Sequence, residues 1–437
     1  MRGSISAINT SFICSSQCVT MKDKAGSIRY SILLLLFFAT TINYIDRQVI
    51  GILKPYIASD LGWSEFDYGL IVTAFQVAYA AGLLITGVII DRFGTRMGYT
   101  IAIAVWSLAG MLHAAARSAL SFAAARFFLG LGESANFPAA IKTVAEWFPQ
   151  RERAHATGWF NSGSTIGAIA APLIVTGITL AMGWQWAFII TGLLGIIWII
   201  CWLLFYYPPA KHPKLTTAEH DYILQDTKAD IGIDNVKWTD LFRYRQTYAL
   251  CATRFISDWV WWFFLFWTPD FLHKMHGVDI KEAVLPLIII YGVASFGGIG
   301  GGWISSFLIG RGRTVDYSRK LAILVSAIVV LPIMFVPHIE SLWLTVALIA
   351  VGCAGHCGWA ANMFTMISDI YPKKAVGSMT GLAGFTAAAG GALSASFVGY
   401  ILDATGSYFL IFAIASSVYI MNWVIIKIFI PEIKPIV

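Results

Sequence analysis

The feature that most limits this chain is a series of apolar runs. Each is about 20 residues long, the length a helix needs to cross the hydrocarbon layer of a bilayer. They fall near 31–53, 67–90, 97–116, 120–146, 156–181 and 185–207, then near 248–272, 284–309, 319–337, 341–368, 376–402 and 407–430. The twelve runs divide as six, a polar stretch from Pro208 to Thr247, and six more. Charged residues make up 12% of the 437, about half of the roughly 25% found in soluble domains, so most of the outer surface must face lipid. Backbone polar groups inside lipid need internal partners, so the spans read as helices. The chain reads as an all-α polytopic membrane protein.

Residues 1–27 form a polar, Ser-rich tail with no apolar core before residue 20, which excludes a cleaved signal. It reads as a disordered extension or a start assigned too early. The expected units are an N-terminal six-helix half (28–207), a cytoplasmic linker loop (208–247), a C-terminal half (248–430) and a short cytoplasmic tail (431–437). Lys and Arg set the orientation. Arg92, Arg96, Arg151, Arg153, the linker, Arg311, Arg313, Arg319, Lys320, Lys373 and Lys374 share one side, against Lys54, Arg117, Lys274 and Lys281 on the other. This places both termini in the cytoplasm. Trp184, Trp186, Tyr206, Tyr207 and Trp267 near segment ends fit an interfacial aromatic belt. The net charge of +6 is spread over short loops, which does not suit nucleic acid. Cys353 and Cys357 read as small core residues and not as a metal site.

The two halves share a pattern. Without a gap, Pro149 matches Pro372, Arg151 matches Lys374, Thr157 matches Thr380, Gly158 matches Gly381 and Gly167 matches Gly390. An internal repeat of this kind belongs to secondary transporters, which bind their cargo between the repeats near the bilayer midplane.

Ionisable groups inside apolar runs cost about 2.5–3.5 kcal/mol each on insertion scales and usually face an internal cavity. The first run holds Asp46 and Arg47, the fourth Arg126 and Glu133, and the seventh Arg254 and Asp258. Arg126 and Glu133 share one helical face with Gly130 between them, and Arg254 and Asp258 are spaced to pair directly. Asp46 and Arg47 point in different directions, so that one can meet the fourth helix while the other faces the cavity. Arginine offers a planar fork for a carboxylate, and a buried acid can take up and release a proton, so Glu133 and Asp46 are the proton-coupling candidates. Lys142 is near enough to the boundary to snorkel out. Tyr44, Tyr79, Asn161, Trp261, Trp262, His356, Trp359 and Asn362 are candidates to line the cavity. Asn161 and Asn362 rank above the rest because an amide in hydrocarbon needs a partner.

The stretch from Gly87 through Asp91 and Arg92 to Arg96 resembles the cytoplasmic signature loop of the major facilitator superfamily. There Gly87 permits close approach, and Asp91, Arg92 and Arg96 latch the inner helix ends. A closer resemblance is to its anion:cation symporter family, in the hexuronate transporter branch. It rests on Asn43 to Arg47, Arg126 to Pro138, Ala145 to Arg153, Gly183 to Phe188, Asp258 to Trp267 and His356 to Asn362. Cys357 departs from the polar residue, often Gln, that the branch carries beside His356.

The resemblance implies a twelve-helix fold of two pseudo-symmetric halves and proton-coupled uptake of a sugar acid such as glucuronate or galacturonate by alternating access. It further implies that Arg47 contacts the carboxylate, that Asp46 and Glu133 carry the coupling proton, and that Arg126 tunes Glu133. No cofactor is expected beyond the proton gradient, and the carrier is expected to work as a monomer in a bacterial inner membrane. Another anion (an aldonate, glucarate or a tartrate-like acid) and sodium coupling stay open. No His-Glu-x-x-His pair or Gly-x-Ser-x-Gly elbow supports a membrane enzyme.

Overall fold

The computed structural model describes residues 28–224, 241–371 and 373–436, except for a few side chains among which are those of Gly87, Asp91, Arg151, Lys373 and Lys374. The tail 1–27, residues 225–240 of the linker loop and two of the four expected gate residues therefore lie outside the described residues. Among the described residues there are thirteen α-helices and no strand. The first half holds α1 (Ile28–Leu61), α2 (Glu65–Leu112), α3 (Ala119–Glu133), α4 (Asn136–Trp147), α5 (Gln150–Met182) and α6 (Trp184–Phe205). A short α7 (Thr217–Leu224) lies in the linker. The second half holds α8 (Arg245–His276), α9 (Ile280–Gly310), α10 (Val315–Val330), α11 (Leu342–Ile370), α12 (Lys373–Thr405) and α13 (Phe409–Phe429).

Ten helical segments are long and apolar enough to cross a membrane. Two of them, Glu65–Thr86 and Arg92–Ala115, are the arms of α2. They join through Gly94, whose φ of 74° and ψ of 159° suit glycine, and Gly98 folds back against Ile90. The remaining two crossings of the expected twelve are α3 with α4, and α8, which carries the buried Arg254, Asp258 and Asp270. The expected single helix over 120–146 is corrected: it breaks directly after Glu133. The Ser134 and Ala135 amides close the first piece on Gly130 and Gly132. Pro138 has no N–H to offer the Ser134 carbonyl, so the helix cannot run straight through.

The internal repeat reappears as packing. A Cβ on Gly167 would strike the Thr41 carbonyl of α1, and one on Gly390 would strike the Phe255 carbonyl of α8. In each half the matched glycine thus admits the first helix of that half. The aromatic belt is largely corrected. Trp267, Trp184 and Tyr206 are buried, with Trp184 donating to Asp60 at 3.1 Å and Tyr206 to Glu146 at 2.6 Å; Trp186 alone of the five is well exposed.

The first run, expected to end near residue 53 with Lys54 in the loop beyond it, is also corrected. α1 runs on to Leu61 through Pro55, and Lys54 is buried. Its Nζ lies 2.6 Å from both Glu65 and Asp270. Lys274 pairs with Glu65 and lies 3.4 Å from Asp270 Oδ2, the oxygen that also accepts from Tyr408 at 2.6 Å. Asp403 of α12 accepts from the Glu65 and Phe66 amides at the start of α2, at 2.8 and 2.7 Å. Farther in, Tyr68 donates to the Phe266 carbonyl and Thr73 to the Ala392 carbonyl. These polar contacts fasten the halves together at the end of the bundle away from the chain termini. Toward the termini end Gly158, Gly302, Gly310 and Gly384 face open space, with nothing within 4 Å of an added Cβ.

Taking one partner from a buried ion pair costs about 3–5 kcal/mol. Asp270→Asn is therefore expected to favour the state parted at this end by more than about a hundredfold. Spin labels at the exposed Leu120 and Trp343 report it as a longer distance. An unchanged distance distribution means that the cluster does not hold the halves.

Candidate functional site

The site begins with the close packing of α3. Gly130 lies against the Phe75 carbonyl of one arm of α2, and Gly132 against Ala102 and Trp106 of the other, where a Cβ would come within 2.9 Å of all three of its nearest neighbours. No larger residue fits between these backbones. This places Arg126 and Glu133 on the buried face of α3, both at 0% exposure. Their shared face is as expected from the spacing of seven.

Glu133 meets Arg47. Its Oε2 accepts from the Arg47 Nε at 2.8 Å and lies 2.7 Å from Nη2. That nitrogen also donates to Asn43 Oδ1 at 3.2 Å. The guanidinium is boxed by rings, with centroids at 4.9 Å for Tyr44, 4.9 Å for Tyr79, 5.2 Å for Trp262 and 5.4 Å for Phe75. Such contacts favour a cation by cation–π attraction. Trp262 belongs to the second half, so the guanidinium sits where the halves meet. Arg126 donates from Nη2 to the Arg47 carbonyl at 2.8 Å and leaves Nε and Nη1 without partners. Glu133 Oε1 likewise accepts nothing although it is buried, and the buried Asp46 carboxylate has the Thr191 hydroxyl beside it.

Arg47 takes both roles that were divided between it and Asp46. It meets the fourth crossing and also faces the seam, while Asp46 points into the first half beside Thr191. Two cations and two acids thus share one buried region, and three of the four groups keep unfilled hydrogen-bonding capacity. An anion able to accept from a guanidinium fits this arrangement chemically, and so does a proton on either acid.

The other candidates are spread more widely. Arg254 and Asp258 pair at 2.8 Å as their spacing implied, with Arg254 lying over Phe364. His356 Nδ1 is 2.7 Å from the Tyr419 hydroxyl, and its ring stacks on Trp261 at 5.5 Å. Trp359 is fully buried with its indole N–H unpartnered. Asn362 donates to the Gly301 and Gly358 carbonyls at 2.8 and 2.9 Å, tying α11 to α9. Asn161 is exposed but lies off the lipid-facing stripe Trp159, Ile166, Leu173. Arg96 is held within its own half, donating to the Leu203 carbonyl at 2.5 Å and lying over Tyr207, while Arg92 is exposed. Lys142 reaches the Ile90 carbonyl.

Sequence reasoning passed over Gln48 and Gln76, each fully buried with no partner for either amide atom. The criterion that raised Asn161 and Asn362, an amide in an apolar run, would have found both.

The Major Facilitator Superfamily model matches residues 36–395. The chain belongs to that superfamily. It is a multi-pass membrane protein of a transporter family and not an enzyme. It is 30% identical over 391 residues to the hexuronate transporter of Escherichia coli K12, covering 88% of this chain and 90% of the relative. The galacturonate transporter of Dickeya chrysanthemi is 33% identical over 318 residues, 70% of this chain and 90% of its own length. A probable galactarate/D-glucarate transporter of Bacillus subtilis is 31% identical over 409 residues, 89% of each chain. The fold matches a solved D-xylose–proton symporter with a TM-score of 0.71 at 15% identity, over 93% of this chain and 98% of that one.

Gly130→Val should therefore separate α3 from α2 and disturb the Arg47–Glu133 pair. The expected result is a loss of thermal stability of several degrees, whereas Gly158→Ala, in open space within a helix, holds or slightly raises it. Equal melting of the two variants would contradict the packing argument.

Proposed function

We propose that the protein is a secondary active importer of a sugar acid, such as glucuronate or galacturonate, working as a monomer by proton symport and alternating access. The observation that carries this reading is the Arg47–Glu133 pair, a buried two-point contact of guanidinium and carboxylate at the meeting of the halves. A substrate carboxylate can replace Glu133 on the same fork. Glu133 then needs a proton, because a bare carboxylate in a dry site is costly. With every group ionised, Arg47 and Arg126 balance Asp46 and Glu133; one added proton leaves a net positive charge, which one carboxylate neutralises. Anion and proton thus favour each other's binding, which is the thermodynamic content of symport. Asp46, buried beside the Thr191 hydroxyl, is the second proton carrier, and Arg126 tunes both acids.

Tyr44, Tyr79 and Trp262 supply apolar faces for the sugar ring around Arg47. Asn161, His356, Trp359 and Asn362 contribute from the facing walls as the halves move. With both termini cytoplasmic in a bacterial inner membrane, the fastened end faces outward and the opposite end, parted in this reading, faces the cytoplasm. Gly87, Asp91, Arg92 and Arg96 then act at the inner gate in the opposite state. The names of the relatives, all sugar-acid transporters, support the substrate class. A second reading, a diacid such as galactarate, is favoured by the two unpartnered nitrogens of Arg126.

Counterflow into vesicles loaded with hexuronates, aldonates and diacids identifies the cargo; failure of every sugar acid refutes the proposal. In the same vesicles Glu133→Gln is expected to keep counterflow and lose proton-driven accumulation. Accumulation that survives in this variant removes Glu133 from the coupling role. A proton ionophore should collapse uptake while sodium removal should not; the reverse result means a sodium-coupled carrier.

A further inference from the structure

The seam between α2 and α12 is closed rung by rung from its outer end. Asp403 caps the start of α2, Gly69 packs on Ala395, and Thr73 donates to Ala392 and shares a hydrogen bond of 2.6 Å with Ser396. The innermost rung differs. Gln76 faces Gly391, where an added Cβ would lie 3.1 Å from the Gln76 Cδ and Oε1 and 3.1 Å from Trp262 Cδ1. Amide, indole and glycine, from three helices and both halves, converge on one spot. Gln76 is 0% exposed, and neither its Oε1 nor its Nε2 has a partner. Its neighbours along α2, Phe75 and Tyr79, are two of the rings around the Arg47 guanidinium, so the amide lies at the depth of the anion site.

We propose that Gln76 reads the hydroxyl groups of the cargo when the outer seam parts, and is withdrawn behind the closed seam in the state described here. The proposal rests on the sugar-acid reading above and adds to it a residue that separates a polyhydroxylated acid from a plain carboxylate. An amide gives and accepts hydrogen bonds at once, which suits a hydroxyl; the guanidinium of Arg47 only donates. Opening the seam exposes an amide that has no partner when the seam is shut, so binding of a hydroxylated cargo favours the outward-open arrangement. Burying the amide again lowers its hold on the cargo as the site turns to the cytoplasm. Gly391 is the position at which the second half can close on this amide without a side chain in the way.

The test is competition in counterflow with purified full-length protein in vesicles, comparing a hexuronate with cyclohexanecarboxylate, a ring acid without hydroxyls. Wild type is expected to prefer the hexuronate. Gln76→Leu is expected to lose at least about tenfold in hexuronate affinity with cyclohexanecarboxylate nearly unchanged, and Gln76→Asn is expected to restore part of the preference. Gln76→Met serves if the leucine variant does not fold. A preference ratio equal to wild type in a folded Gln76→Leu or Gln76→Met variant overturns this inference and leaves the proposed function standing. Absence of hexuronate counterflow in wild type overturns both.

Discussion

A guanidinium without water must bring its counter-charge into the fold, and the Arg47–Glu133 pair is where this chain meets that demand. Breaking such a pair leaves an uncompensated charge, while keeping it requires close geometry. Much of the first half follows from that requirement. Glycine at 130 and 132 brings α3 onto both arms of α2. The break after Glu133 ends the helix at the acid itself, where the negative end of the helix dipole would repel it unless a cation lay close. Aromatic rings from α1, α2 and α8 close the remaining sides of Arg47.

Because Trp262 is one of these rings, the electrostatic centre of the first half is also a joint between the halves. At one end of this joint the seam is fastened by ion pairs and by a cross-half helix cap; toward the other, glycines of both halves face open space. The two arrangements required by alternating access differ in which end is fastened. The fastened end described here uses short-range polar contacts, which release as units when the helices separate.

Much of the fold was legible in the sequence, because span length and charge scarcity follow from the solvent a bilayer provides. The spans that depart most from that rule, α3 with α4 and α8, are those interrupted by a kink or by charges, and they carry Arg126, Glu133, Arg254 and Asp258. The charged pairs themselves were legible through helical spacing. What spacing could not convey was tertiary position. Lys54 looked like a loop cation because an apolar run ends near it, yet α1 continues and buries it against Asp270. Asn362 stood out as an amide in hydrocarbon; its NH2 group donates to one carbonyl of α9 and one of its own helix, while its Oδ1 accepts nothing. Gln76 is legible as an amide in an apolar run, but nothing along the chain reveals that Gly391 and Trp262 converge on it.

The central claim is that an anion and a proton exchange places around Arg47. The most direct measurement follows proton release or uptake with a pH-indicating dye as substrate binds to purified protein in weakly buffered solution. The account predicts uptake of close to one proton for each sugar acid bound, with the uptake lost in Glu133→Gln. Saturable binding of the acid with no proton taken up would contradict it.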